Sequence, residues 1–226
     1  MDLAAVCEPY ATEFLREPAN AISSAAFVVA GILVANQRSG PWRDGLVRDR
    51  RTVFALLVTG VGVGSFIQHG PHPDWQAYAH DLPLAAVLVF VATDAAADLT
   101  GRELSYRWWL IPSVVMVPVV ALGATASTIA QAVLATAATS GNVLRAARRP
   151  LLRKALVTAL LIAAAGATIG SPSDPALLCR ADSLLPRHAI WHVLAAAALW
   201  RLARVIGERR ASSLANVMAT PAGSPR

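Results

Sequence analysis

The sequence predicts an all-α membrane protein with seven transmembrane helices, its N-terminus outside and its C-terminus cytoplasmic. Three observations carry that prediction. Of the 226 residues, 55% are hydrophobic and 15% charged, where a soluble domain carries about 25% charged residues. The apolar residues fall in long blocks without strand alternation, and in lipid only helices or a closed barrel satisfy their own backbone. Arginine is rich in every second joining segment and poor in the others.

Residues 1–16 contain acids and no apolar core behind a basic start, so no cleavable signal is expected. The apolar runs are Ala21–Asn36, Val53–His69, His80–Ala97, Trp108–Leu122, Thr125–Leu144, Ala155–Ile169 and His188–Val205. Several fall short of the roughly 20 residues of an ideal span. Only a short turn at Gly123 divides the fourth from the fifth. The first joining segment carries Arg38, Arg43, Arg48, Arg50 and Arg51. The third carries Arg102 and Arg107, and the fifth Arg145, Arg148, Arg149, Arg153 and Lys154. The last run and its tail add Arg204, Arg209 and Arg210. The even segments are poor in basic residues, with only Arg180 and Arg187 in the sixth, so the positive-inside rule sets the orientation. Merging the fourth and fifth runs would break the alternation. The net charge of +6 is then the ordinary excess of cytoplasmic loops, and no nucleic-acid partner is expected. A lone lysine among many arginines, with abundant alanine, fits a GC-rich bacterial genome and a multi-pass protein of the bacterial plasma membrane. Residues 1–210 read as one seven-helix domain, and residues 211–226 as a disordered cytoplasmic tail.

This topology gathers the histidines on the outer side. His69 ends the second run, His80 begins the third, and His188 and His192 begin the seventh. Residues four apart share a helix face, so His188 and His192 can grip one ion. With His69 they supply three imidazoles, the number of protein ligands a catalytic zinc takes while keeping a fourth position for water. Such an ion brings the pKa of its water to about 7. Rim histidines bonded to lipid headgroups or loops are the plainer alternative. Ser65 lies four residues before His69 and suits an oxyanion donor, or else a small packing residue beside Gly60, Gly62 and Gly64. Asp81 suits a general base, or else a helix cap or an orienter for a histidine. His72 and His80 read as supporting or surface imidazoles. Glu8 and Glu17 with Asn20 offer oxygen ligands suited to calcium, or a solvated lead-in. Cys7 and Cys179 share the outer, oxidising side, as a disulfide or as two unrelated thiols. Asp94 and Asp98 read as interfacial.

With these residues in place, the chain resembles the alkaline ceramidase family, within the CREST group of seven-helix membrane hydrolases. The resemblance rests on Cys7-Glu8 followed by Glu17-Pro18-Ala19-Asn20-Ala21-Ile22-Ser23-Ser24. It continues in Gly64-Ser65-Phe66-Ile67-Gln68-His69 with Asp81-Leu82-Pro83, and in Arg187-His188-Ala189-Ile190-Trp191-His192. Their order and spacing span nearly the whole chain. The resemblance implies zinc on His69, His188 and His192, with Ser65 and an aspartate completing the site. It also implies hydrolysis of the amide bond of ceramides. In some members calcium binds near the N-terminus and two outer cysteines are joined, positions matched here by Glu8, Glu17, Cys7 and Cys179. Two departures stand out. His80 occupies the proline-anchored position of the family aspartate, with Asp81 one residue later, a turn of about 100° on a helix. Ala5 and Val6 replace the acidic and aromatic residues that the animal enzymes carry.

The expected function is therefore zinc-dependent hydrolysis of a ceramide-like or other N-acyl membrane lipid. The alternative is a non-enzymatic heptahelical receptor or sensor that keeps the metal structurally. A transporter is disfavoured, because the chain has no internal repeat or paired broken helices.

Overall fold

A computed structural model describes residues 14–37, 45–102, 105–170 and 186–208, and these form helices and turns with no strand. The helices are α1 (Pro18–Ser23), α2 (Ala25–Ala35), α3 (Gly45–His69) and α4 (Gln76–Thr100). They continue as α5 (Arg107–Ala121), α6 (Ala124–Arg148), α7 (Pro150–Gly170) and α8 (Arg187–Leu202), which runs into a 3₁₀ turn at Ala203–Val205. α1 and α2 are one rod interrupted at Ser24. Every apolar run of the sequence became one rod. The fourth and fifth runs are indeed separate, parted at Gly123, whose φ of +108° suits glycine.

Six rods close a ring: α2 packs on α3, α3 on α4, α4 on α6, α6 on α7, α7 on α8, and α8 back on α2. α5 lies outside it against α4 and α6. Inside the ring Phe54 stacks on Phe90, which meets Trp109 edge-on, among Val58, Val87 and Leu156. The outward faces are apolar and open: Leu151 is 96% exposed, and Ile111, Val114, Ile129 and Leu161 are also exposed. A soluble surface rarely tolerates such continuous apolar exposure. Four rods are long and apolar enough to cross a membrane: Pro18–Ala35, Asp49–His69, Gln76–Thr100 and Pro150–Gly170. α5 is apolar but has 15 residues. α6 has the length, 25 residues, but its buried positions include Ser127, Asn142 and Arg145. Its apolar Ile129, Val133 and Val143 point outward.

α3 and α4 approach most closely beside the histidines. Pro83 has no N–H to return to the carbonyl of Ala79 one turn back. That carbonyl sits against Gly64, where a Cβ would collide with it. The Gly64-Ser65 pair and the Asp81-Leu82-Pro83 stretch are thus two halves of one contact.

Asp94 and Asp98 face the inside of the bundle near the end of α4. Each is 1% exposed, as is Arg145. Arg145 donates to Asp98 at 2.6 Å and Asp94 at 3.2 Å, and to the carbonyls of Val205 at 2.7 Å and Glu208 at 3.2 Å. Arg149 also pairs with Asp98. Asp94 accepts from the N–H of Gly207 at 3.1 Å, and Arg51 donates to the carbonyl of Arg204 at 3.0 Å. α4 carries acids toward the bundle axis because α6 and the chain after α8 bring it cations and backbone dipoles. Removing one partner of such a buried group leaves uncompensated charge, which costs about 3–5 kcal/mol. Arg145→Met is therefore expected to depress the thermal unfolding midpoint of the detergent-solubilised protein strongly, while Leu151→Met leaves it unchanged.

Candidate metal centre and its cavity

The site lies at the opposite end of the ring from Arg145. α8 delivers His188 and His192 on one face, four residues apart. Its first turn is docked by Trp191, whose ring fills the space left by Gly166 and Gly170 of α7. Arg187 adds a bond from Nε to the carbonyl of Ile169 at 2.8 Å, satisfying the end of α7. His69 closes the last turn of α3. The three rings converge, with centroids 4.9 Å (His69–His188), 5.2 Å (His69–His192) and 4.5 Å (His188–His192) apart. One nitrogen from each lies within 4.8 Å of the others, a grouping that could hold a metal ion.

The hydrogen bonds behind the rings set which nitrogen faces inward. Residues before α1 pair with the end of α3, through the N–H of Glu17 on the carbonyl of His69 at 2.9 Å. This brings the Glu17 carboxylate to 2.5 Å from His69 Nδ1. Nδ1 of His69 then carries the proton and Nε2 is left as a bare lone pair. Nδ1 of His192 faces the carbonyl of Asn20 at 3.1 Å and the Ser23 hydroxyl at 2.9 Å. A carbonyl only accepts, so Nε2 of His192 is also bare, with the Ser65 hydroxyl 3.2 Å away. Nε2 of His69 and Nε2 of His188 are both buried without a hydrogen-bond partner. Leaving such a group unsatisfied costs about 1–3 kcal/mol, and two in one place suit an ion. Carboxylates and carbonyls behind ligating histidines are the usual orienters of metal sites.

Glu17 and Asn20, offered in sequence as calcium ligands or as part of a solvated lead-in, are buried beside this centre. Asn20 Nδ2 donates to Glu17 at 3.0 Å. Burial pushes the Glu17 carboxyl up, but its hydrogen bonds with His69 and the Asn20 amide outweigh it and hold it below the ordinary carboxylate value. Glu8, Cys7 and Cys179 lie outside the described residues. Ser65 is buried in the glycine-rich stretch, and its hydroxyl reaches His192 and, at 3.0 Å, Ser24. His72 is no part of the centre. It adopts φ +49° and bonds the carbonyl of Gln68 at 2.5 Å, closing the end of α3.

A cavity of about 540 Å³ opens beside the histidines, lined by Glu17, His69, His188, His80, Asp81 and Ser127 among others. α4 begins at Gln76, earlier than the sequence suggests, so His80 and Asp81 sit a turn inside the helix. Asp81 accepts from His80 Nδ1 at 2.7 Å and from the Ser127 hydroxyl at 2.6 Å. Gln131 Nε2 donates to Ser127 at 3.1 Å. Ser127 and Gln131 went unnoticed in the sequence. The available signal was their four-residue spacing on the least apolar of the long helices.

The chain matches no model of a known protein family and no curated protein.

The outer partner of His69 is a direct target. Glu17→Gln is expected to weaken zinc binding by about 10–100-fold, read by competition with a chromophoric chelator, with the fold retained. His72→Ala should leave the affinity within twofold.

Proposed function

We propose that the protein is a zinc-dependent intramembrane hydrolase that cleaves the amide bond of a ceramide-like or other N-acyl lipid. It would cross the bacterial plasma membrane seven times, with the histidine end outside and the C-terminus cytoplasmic. The observation that carries this reading is the set of three converging imidazoles beside a cavity that also holds an acid–imidazole pair. His69, His188 and His192 would hold the zinc, and Glu17 and the carbonyl of Asn20 would fix the rings of His69 and His192. When bound, the ion activates water and polarises a carbonyl. Ser65 is placed beside Nε2 of His192, where a hydroxyl can stabilise the oxygen of a tetrahedral intermediate. The His80–Asp81 pair supplies acid–base chemistry. The apolar outer belt leaves acyl chains in the bilayer, with the amide entering the cavity at one end of the bundle.

A structural zinc is closed by four protein ligands, whereas a catalytic zinc keeps an open position. Three histidines next to a cavity favour the hydrolase over a receptor with a structural metal. Purified protein is expected to carry about one zinc per chain by elemental mass spectrometry and to release fatty acid from a fluorescent N-acyl sphingoid base or a related N-acyl lipid. Chelation should abolish turnover and added zinc restore it, and His188→Ala should lose both metal and turnover. Full activity in zinc-free protein would overturn the reading.

A further inference from the structure

We propose that His80, and not Asp81, is the group that exchanges protons with the substrate amide, and that Asp81, Ser127 and Gln131 are its positioning residues. The inference rests on the hydrolase reading and specifies who handles the proton within it.

Gln131 offers an amide N–H to Ser127 Oγ at 3.1 Å. Ser127 is 1% exposed, and its single hydroxyl proton goes to Asp81 Oδ2 at 2.6 Å. Asp81 Oδ1 takes the N–H of His80 Nδ1 at 2.7 Å. An ionised carboxylate only accepts, so the proton between Asp81 and His80 belongs to the imidazole. Each oxygen of Asp81 is thus engaged, one from α6 and one from its neighbour. His80 is left with a bare Nε2, its tautomer set by the carboxylate behind it, as in other histidine–carboxylate pairs.

Position agrees with direction. The His80 ring stands edge-on to that of His69, 6.3 Å between centroids. Its side chain is more open than that of Asp81, 24% against 16%, and both line the cavity.

In the hydrolysis, water adds its oxygen to the acyl carbon and one of its protons passes to His80 Nε2. That proton passes on to the amide nitrogen as the C–N bond breaks. The products are a carboxylic acid and an amine, and His80 returns to its starting tautomer. Asp81 keeps its charge throughout and steadies the transient imidazolium.

The test has a structural and a kinetic arm, both on the full-length zinc-loaded protein in detergent. Nitrogen-15 NMR of labelled histidine, assigned with His80→Gln, should show His80 protonated at Nδ1 and bare at Nε2. Turnover of a fluorescent N-acyl sphingoid base in mixed micelles should fall about 100-fold in kcat for His80→Gln, with bound zinc unchanged. Ser127→Ala should lose about 10-fold in kcat with KM and zinc unchanged and shift His80 toward the other tautomer. Ser127→Thr, which keeps the hydroxyl, should restore both. His80 protonated at Nε2 in the wild type overturns the inference, whatever the activity. So does near wild-type kcat in His80→Gln beside an inactive Asp81→Asn. A zinc-loaded wild type with the expected tautomer and no turnover on any N-acyl lipid instead sinks the hydrolase reading, and this role for His80 with it.

Discussion

An arginine that is 1% exposed, in a bundle whose outer face is apolar, has to find its counter-charge inside the protein. Arg145 meets Asp94 and Asp98 and spends its remaining donors on the carbonyls of Val205 and Glu208. That arrangement dictates much else. It obliges α4 and α6 to lie side by side, and it pins the chain that leaves α8. Because α8 is a rigid rod, pinning one end limits how its other end can be placed, and the other end carries His188 and His192. The ring of helices is closed through α8, which packs on both α7 and α2.

The same α4–α6 seam carries polar groups at both of its ends. Asp81 meets Ser127 and Gln131 at the histidine end, and Asp94 and Asp98 meet Arg145 at the other. Burial of each carboxylate is tolerated because donors are already aimed at it. The ordinary packing core, with Phe54, Phe90 and Leu156, supplies shape between these ends. α6 therefore needs a polar inward face, which is why it is the long helix that fails a simple hydropathy reading.

The rods were legible because lipid-facing helices must be apolar along their length, and turns such as that at Gly123 interrupt the pattern sharply. The three histidines were legible because imidazoles at helix ends are few, and two are four residues apart. Their partners were not. Glu17 resembled one acid in an acidic lead-in until the backbone pairing with the end of α3 carried it to His69. Asp94 and Asp98 looked interfacial because sequence gives depth along a helix but not the identity of the neighbouring rod. Several arginines that gave the loops their charge are drawn into the bundle, Arg145 and Arg149 by those acids and Arg51 by the carbonyls of Arg204 and Ile206.

The adjacent side chains of His80 and Asp81 take different directions for a physical reason. One residue on a helix turns a side chain by about 100°, which carries Asp81 toward α6 and leaves position 80 beside His69. A carboxylate turned toward an apolar α6 would be buried without a partner. Here Ser127 receives it, and Gln131 orients Ser127. The imidazole at position 80 lies edge-on beside the ring of His69, with Asp81 bonded to its Nδ1. His80, Asp81, Ser127 and Gln131 thus form one hydrogen-bonded chain between α4 and α6. The hydrogen bond from Ser127 to Asp81 is the link that joins the two helices in it.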